Sequence, residues 1–206
     1  MKIICIISQK GGATKTTLSI HLAVMAQQEG KQAAIIDLDP QASCAKWKDL
    51  REVGTPVVVS AQPARLSQVL EAARGAGADI VIIDTAPHSN LMTLDAARIA
   101  DFILIPTKCG ILDLQAVSSS VDMAAIAKRP AAIVLCAVPV RGATAEQARE
   151  ALKPLGLEVC PITTGDRAAY RNALVSGLTA QEYEPDGKAA EEVKALYKWV
   201  SNKVIL

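Results

Sequence analysis

The chain has 206 residues, of which half are hydrophobic and only 3% are aromatic, so a single domain over residues 1–206 with an aliphatic core is expected. It carries 22 basic and 21 acidic residues, for a formal net charge of +1. This balance argues against a protein that coats nucleic acid with its whole surface, so any contact with DNA must come from a local patch.

Five cysteines, at positions 5, 44, 109, 136 and 160, lack the spacing of a metal site, and we expect buried, reduced thiols. The N-terminal residues run directly into a strand-like segment without the pattern of a signal peptide. The sequence also contains no apolar stretch of membrane-spanning length. These features predict a soluble cytoplasmic protein that does not bind a membrane.

Short runs of Ile and Val alternate along the chain with segments of helical spacing. The predicted strands are residues 2–8, 32–38, 56–59, 79–84, 102–106, 131–138 and 158–162. The predicted helices are residues 16–28, 42–51, 63–74, 91–100, 113–128, 144–152, 167–175 and 188–203. This alternation predicts an α/β fold with a mostly parallel sheet flanked by helices on both faces.

A Gly- and Thr-rich loop connects the first predicted strand to the first helix. It reads Gln9-Lys10-Gly11-Gly12-Ala13-Thr14-Lys15-Thr16-Thr17. In such a P-loop, the backbone N–H groups and the helix N-terminus form a cradle for phosphates, and glycines let the backbone approach them. Lys15 is placed to reach the β- and γ-phosphates, Thr16 to bind Mg²⁺ and Thr17 to contact the α-phosphate. The loop by itself therefore predicts nucleotide contacts from residues 11–17.

The loop departs from the ordinary pattern G-x-x-x-x-G-K-[ST], because Gln9 and Thr14 stand at its glycine positions. It resembles instead the deviant Walker A loop, K-G-G-x-G-K-T-[ST], of the family that includes ParA, MinD, the nitrogenase iron protein and dethiobiotin synthetase. The resemblance implies a P-loop ATPase that uses ATP and Mg²⁺. It also implies that Lys10 is a second, catalytic lysine, which reaches the phosphates of the partner in an ATP-bound homodimer.

Thr14 is the main departure from this family, which has glycine there. If the position requires a positive φ, a β-branched residue is strained by about 1–3 kcal/mol. Either the loop tolerates threonine or nucleotide handling is impaired, and in the strained case Thr14→Gly is expected to raise nucleotide affinity or turnover.

Three aspartates follow predicted strands, at the sheet edge where ligands of open α/β folds bind. The stretch from Asp37 to Gln41 resembles the family motif D-x-D-P-Q, and the stretch from Ile82 to Pro87 resembles its Walker B segment. The resemblance implies that Asp37 and Asp84, together with Thr16, hold Mg²⁺. It also implies that Asp39 orients the attacking water, which completes a catalytic set with Lys10 and Lys15. The alternative is that these aspartates only cap strand ends.

Four residues and one short stretch have less certain roles. His88 either lies near the γ-phosphate or is a solvated loop residue, and His21 on the first helix is expected to be structural. Trp47 and Trp199 are interpreted as core or interface aromatics. Residues 138–141, Val-Pro-Val-Arg, are a candidate wall for adenine.

The C-terminal helix carries Val193, Leu196, Tyr197 and Val200 on one face. This face could bind a membrane, as in MinD, or pack on the domain, and its short length and acidic residues favour packing. The densest basic region also lies near the C-terminus. Its members, the candidate DNA-binding residues, are Arg167 and Arg171, predicted on one helix face, with Lys194, Lys198 and Lys203.

The resemblance extends over nearly the whole chain, including Ala100 to Pro106 and Glu182 to Ala190, and it is closest to short ParA-type proteins without an N-terminal helix-turn-helix. It implies a slow ATPase that dimerises with ATP, binds DNA non-specifically on the nucleoid and responds to a ParB-like or adaptor partner. The cargo could be a plasmid, a chromosome or another large assembly such as a microcompartment. The alternatives are a metabolic enzyme of the dethiobiotin synthetase kind, which the D-x-D-P-Q motif disfavours, and a membrane-bound ATPase of the MinD kind.

Overall fold

A seven-stranded sheet forms the centre of the molecule. The computed structural model describes residues 1–87 and 90–205. The strands are β1 (Lys2–Ile6), β2 (Ala33–Asp37), β3 (Val57–Ser60), β4 (Ile80–Asp84), β5 (Phe102–Thr107), β6 (Ala131–Leu135) and β7 (Glu158–Val159). Their order is β3-β2-β4-β1-β5-β6-β7, and every neighbouring pair is parallel. The predicted fold class is confirmed, with a sheet that is parallel throughout.

Helices cover both faces of this sheet. They are α1 (Lys15–Gln28), α2 (Ser43–Leu50), α3 (Leu66–Gly75), α4 (Asn90–Ile99), α5 (Ile111–Ala127), α6 (Thr144–Leu152), α7 (Ala168–Val175), α8 (Ala180–Tyr183) and α9 (Lys188–Val204). Short 3₁₀ turns occupy Pro63–Arg65 and Lys153–Leu155. One core cluster lies between the sheet and α1, α2, α7, α8 and α9, and the other between the sheet and α3 to α6. Because β2 and β4 are buried along their whole length, they read as continuous apolar runs.

Several strands are shorter than their apolar runs. The run at residues 131–138 predicts one strand, but the regular ladder ends at Leu135. Beyond it, Cys136 and Val138 are still buried, and they donate backbone hydrogen bonds to Thr107 and Thr164. Apolar residues therefore continue past the ladder because they line the interior at the edge of the sheet.

Helix α8 is an element that the sequence analysis did not predict. Its first turn has a capping box, in which the side chains of Thr179 and Glu182 each accept a backbone hydrogen bond from the other residue. The T-x-x-E spacing was the available signal. Glu182 also forms an ion pair of 2.6 Å with Arg51, which follows the end of α2. The side chain of Arg51 is only 4% exposed. Burial acts to raise the pKa of Glu182, but the bonds from Arg51 and Thr179 lower it.

Helix α9 packs on the domain, which confirms that interpretation of its apolar face. Val193, Leu196, Tyr197 and Val200 are all buried against the cluster that contains α1 and α8. Among the helices of residues 1–87 and 90–205, none combines the length and hydrophobicity needed to cross a bilayer.

The strand order determines where a ligand can bind. After β1 the chain moves to one side of it, through β2, β3 and β4, and then to the other side, through β5, β6 and β7. The loop after β1 therefore lies where the strand order changes direction, the usual ligand site of an open α/β sheet.

Candidate nucleotide site

A cleft of about 330 Å³ lies beyond the carboxyl ends of β1 and β2. Its lining comprises Gly11, Gly12, Ala13, Thr14, Lys15, Thr16, Thr17, Asp39, Gln41, Ser43 and Pro87. The cleft thus brings together all the predicted loop residues except Lys10. It also includes Asp39, the carboxylate that is expected to orient the attacking water. Its shape and donors suit a chain of phosphates.

Lys15 is the first residue of α1 and its side chain folds over the loop. Its ammonium donates hydrogen bonds to the carbonyl oxygens of Ser8, at 3.2 Å, and Lys10, at 3.4 Å. Burial lowers the pKa of Lys15, and this effect is opposed by the charges of Asp84 and Asp39. The side chain is therefore positioned at the floor of the cleft, where it can exchange carbonyl partners for phosphate oxygens.

Asp84 ends β4 and is completely buried. It accepts hydrogen bonds from the hydroxyls of Thr16, at 2.7 Å, and Ser19, at 3.1 Å. Burial raises the pKa of Asp84 to about 6, partly offset by these bonds. The Walker B aspartate and the loop threonine, which the family resemblance assigns to one Mg²⁺, are thus in direct contact.

Asp37 ends β2, the strand beside β4, and is also buried. Its carboxylate accepts hydrogen bonds from the backbone N–H groups of Asp39, at 3.1 Å, and Cys44, at 2.9 Å. Burial raises the pKa of Asp37, although these bonds lower it. The oxygen donors of Thr16, Asp37 and Asp84 are of the kind that Mg²⁺ prefers, so these residues fit the predicted metal site.

Asp39 lies at the edge of the cleft and is half-buried. One oxygen of its carboxylate accepts a hydrogen bond of 2.9 Å from the backbone N–H of Gln41. This local turn holds the carboxylate towards the cleft, where its second oxygen can orient a water.

Lys10 has a partner that the sequence analysis missed. Its ammonium lies 2.7 Å from a carboxylate oxygen of Asp113, in the first turn of α5. The Lys10 side chain is 38% exposed and that of Asp113 is 17% exposed. Lys10 is therefore at the surface beside the cleft, but it is paired within its own chain.

Thr14 has a φ of 67°, in the left-handed region. The condition set by the sequence analysis is therefore met, and this β-branched residue is strained. Its hydroxyl oxygen is buried and has no hydrogen-bond partner among residues 1–87 and 90–205. The Cys136 thiol lies beside it, but a thiol is only a weak donor and acceptor.

A second cavity, of about 390 Å³, adjoins the phosphate cleft and shares Thr14 and Thr17 with it. Cys136 and Ala137 line it on one side, and residues 164–167 line it on another. The candidate adenine wall at residues 138–141 follows directly but does not line this cavity. A nucleoside attached to phosphates in the cleft would find its nearest interior space here.

His21 has a structural role, as expected. Its Nδ1 lies 2.7 Å from the carbonyl oxygen of Thr17, and its Nε2 lies 3.0 Å from the backbone nitrogen of Ala180. Because the backbone N–H of Ala180 can only donate, we assign the proton of the neutral ring to Nδ1. Burial lowers the pKa of His21 to about 4.

The remaining aromatic and histidine predictions have different outcomes. Trp47 is buried in the core, and Trp199 packs edge-to-face on Phe102 with ring centroids 6.1 Å apart. Both therefore serve as core aromatics. His88 lies outside the described residues.

Of the two candidate DNA-binding arginines, Arg171 lies on the predicted helix and Arg167 does not. Arg167 precedes α7, so the prediction that it shares a helix face with Arg171 is wrong. Its guanidinium pairs with Glu192 at 2.6 Å, and that of Arg171 pairs with Asp166 at 2.6 Å. Both arginines line the second cavity.

The candidate lysines lie on α9. Lys203 pairs with Glu158 at 2.7 Å and lies over the ring of Trp199. Lys194 and Lys198 are exposed, and neither forms an ion pair with any other side chain of the described residues. These two are the best placed of the predicted set to meet a polyanion.

Comparison with known proteins agrees with the geometry of the loop. The family model for the CobQ/CobB/MinD/ParA nucleotide binding domain matches residues 4–174. The chain belongs to this family. The resemblance to ParA-type ATPases, inferred from the deviant Walker A loop, is confirmed, and members of the family are ATPases.

Similar curated proteins include two from the group named maintenance of carboxysome distribution protein A. The one from Halothiobacillus neapolitanus is 29% identical over 203 residues, which cover 91% of this chain and 90% of the relative. The one from Gloeobacter kilaueensis is 26% identical, with coverages of 98% and 94%. Protein IncC of Escherichia coli is 25% identical, with coverages of 99% and 70%.

Solved structures show the same fold. The septum site-determining protein MinD of Pyrococcus horikoshii, in complex with Mg-ADP, superposes with a TM-score of 0.78 at 18% identity and covers 97% of this chain and 95% of its own. The Cyanothece McdA variant in complex with ATP gives a TM-score of 0.77 at 16% identity, with coverages of 100% and 97%.

Proposed function

We propose that this chain is a positioning ATPase, in which ATP drives formation of a homodimer that binds DNA without sequence preference. Hydrolysis, stimulated by a ParB-like or other adaptor protein, returns the dimer to monomers. The relatives named for maintenance of carboxysome distribution support this class of function. The cargo is a large assembly that carries the adaptor, and the working location is the nucleoid in the cytoplasm.

The position of Lys10 is the observation that carries this proposal. Lys15 already supplies the ammonium at the floor of the cleft, whereas Lys10 lies at the surface beside it. We infer that this second lysine serves phosphates bound to a facing copy. ATP bound between two copies would therefore be contacted by Lys15 of one and Lys10 of the other.

The other groups of the cleft have separate tasks in this reaction. Mg²⁺ supplies charge neutralisation on the β- and γ-phosphates when it is bound. Thr16, Asp37 and Asp84 would hold it, because they present oxygen donors at one edge of the sheet. Asp39 orients the attacking water from the other edge of the cleft, and Lys15 stabilises the charge that develops on the transferred phosphoryl group.

The membrane-bound alternative receives little support from the structure. The apolar face that would have to enter a membrane is buried against α1 and α8, so exposing it would require α9 to leave the core. No contact in the described residues favours the metabolic alternative of the dethiobiotin synthetase kind, and the DNA experiment below separates it from the proposal.

A DNA mobility-shift titration tests the proposal directly. It is carried out with ADP, with ATP, and with ATP on Lys15→Ala, while size-exclusion chromatography with light scattering reports the mass of each form. We expect a DNA shift and a dimer only for the parent protein with ATP. Lys15→Ala should show neither, because it lacks the lysine charge that faces the β/γ-phosphates. Equal shifts with ADP and ATP, or a shift that survives in Lys15→Ala, would contradict gating by ATP.

A further inference from the structure

A carboxylate of the last helix contacts the wall of the second cavity. Residues 164–167, which we call the cavity loop, line this cavity and lead into α7. Glu192 lies on α9 and is not itself part of the lining, but it contacts two residues of the cavity loop. Its influence on a ligand in the cavity must therefore pass through this loop.

Glu192 uses both of its carboxylate oxygens in these contacts. One oxygen accepts a hydrogen bond of 2.9 Å from the backbone N–H of Gly165. The hydroxyl of Tyr170 lies 3.1 Å from the same oxygen and 3.2 Å from the carbonyl oxygen of Ala189. The other oxygen accepts a hydrogen bond of 2.8 Å from Nε of Arg167 and lies 2.6 Å from a terminal nitrogen of its guanidinium. Several charge-assisted bonds to one short loop restrict its conformation.

Gly165 allows this close approach of α9 to the cavity loop. A Cβ atom at this position would lie 3.1 Å from Nε of Arg167 and 3.3 Å from a carboxylate oxygen of Glu192. Both distances are shorter than ordinary van der Waals contacts, so a side chain there would displace the ion pair. The missing side chain at Gly165 thus brings the backbone of the cavity loop directly against the carboxylate.

The cavity loop also has an anchor that is independent of Glu192. The backbone N–H of Val138 donates to the carbonyl oxygen of Thr164 at 2.9 Å, and that of Asp166 donates to the carbonyl oxygen of Val138 at 2.8 Å. These bonds attach the loop to the segment after β6. Removal of the Glu192 carboxylate should therefore loosen the wall of the cavity while the loop remains attached to the domain.

We propose that Glu192 is a positioning residue for nucleotide binding, because it holds the cavity loop as a preformed wall for the nucleoside. This inference rests on the proposed function, since the cavity adjoins the phosphate cleft at Thr14 and Thr17. A wall that is already ordered does not lose conformational freedom when the ligand binds. Phosphates in the cleft contact other residues, so Glu192 should affect the nucleoside part of binding and not the phosphate part.

Calorimetry with Mg²⁺–ADP and with Mg²⁺–pyrophosphate separates these two parts, because pyrophosphate has two phosphates and no nucleoside. We expect Glu192→Ala to weaken ADP binding by about tenfold or more, and to change pyrophosphate binding by less than about twofold. Glu191→Ala is the matched control, because it removes the same charge from the neighbouring, exposed position, which pairs with Lys188. It should bind both ligands as the parent does.

Glu192→Gln covers the case in which the alanine variant does not fold, because it preserves the size of the side chain. The amide nitrogen of glutamine cannot accept a hydrogen bond, so one of the two anchoring contacts is lost. ADP binding should weaken by about threefold or more, again without a change for pyrophosphate.

Three results would overturn the positioning role. They are unchanged ADP binding in Glu192→Gln, an equal loss of ADP and pyrophosphate binding in the Glu192 variants, and a parent that binds pyrophosphate as tightly as ADP. A parent that prefers ADP and loses this preference in the Glu192 variants, but shows no ATP-gated DNA binding, would refute only the proposed function.

Discussion

The Lys10 ammonium and the Asp113 carboxylate, 2.7 Å apart, form an ion pair within one chain beside the phosphate cleft. If Lys10 acts on the phosphates of a partner, this pair must open before the dimer can close. Since both side chains are partly exposed, opening costs only about 1 kcal/mol. The pair is thus a weak intramolecular competitor of the dimer contact.

We expect Asp113→Asn to strengthen the ATP-dependent dimer, because Lys10 is then no longer held in its own chain. A gain of about 1 kcal/mol corresponds to a roughly fivefold lower dimer dissociation constant. Asp122→Asn, an exposed position on the same helix, is the control.

Lys10→Ala should bind nucleotide as a monomer and fail to dimerise. Analytical ultracentrifugation with ATP distinguishes these outcomes, and normal dimerisation of Lys10→Ala would remove the in-trans role.

Thr14→Gly should relieve the strain of the left-handed backbone at this position. The strain is about 1–3 kcal/mol, and part of the gain is cancelled by the greater freedom of glycine in the unfolded chain. We expect the free energy of unfolding in urea to rise by about 1 kcal/mol, and nucleotide affinity or turnover to increase. Ala13→Gly, next to it, lacks a positive φ and should show no gain. Unchanged stability and affinity in Thr14→Gly would mean that the loop accepts threonine without strain.

Asp39→Ala should bind ATP but hydrolyse it far more slowly, because the water no longer has the carboxylate that orients it. The variant should then accumulate as an ATP-bound dimer, visible by light scattering. Asp49→Ala, an exposed aspartate on α2, is the control and should hydrolyse ATP as the parent does. Turnover by Asp39→Ala at the rate of the parent would transfer the role to another residue.

His21 makes a defined contribution to the pH dependence of stability. Burial lowers its pKa to about 4, so its stabilising contribution is complete above the unfolded pKa of about 6.5 and is lost as pH falls towards 4. The difference in unfolding free energy between the parent and His21→Gln should therefore shrink by about 3 kcal/mol from pH 7 to pH 4. Asp37, Asp84 and His88 are present in both proteins, so their titration cancels in this difference. A constant difference would show that His21 does not titrate in this range.

The DNA-binding prediction now centres on α9. Lys194→Ala with Lys198→Ala should weaken binding of the ATP dimer and flatten its salt dependence, by about 0.9 log units of slope for each phosphate that the variant no longer neutralises. Arg171→Ala should have a smaller effect, because its guanidinium is already paired with Asp166. Lys31→Ala with Lys46→Ala is the charge-matched control, because neither lysine forms an ion pair with another side chain of the described residues. Equal weakening by both double variants would reject a local patch.

The fold class and the phosphate loop could be predicted from local patterns. Apolar runs alternating with helical spacings predict a parallel sheet, because such strands are buried on both faces. The loop at residues 9–17 and the aspartates that follow β2 and β4 are local in sequence, so their chemistry was visible before the structure. Even the left-handed backbone at Thr14 was indicated, because the family has glycine there.

The tertiary structure decided what these groups contact. Asp113 became the partner of Lys10, Glu192 that of Arg167, and Cys44 a neighbour of two aspartates only when distant segments packed together. Such pairs depend on the order of the strands and on which face each helix covers, and no local pattern specifies either. The sequence by itself therefore determined the reactive groups, while the packing of the helices on the sheet decided which of them are paired, buried or free to meet a ligand.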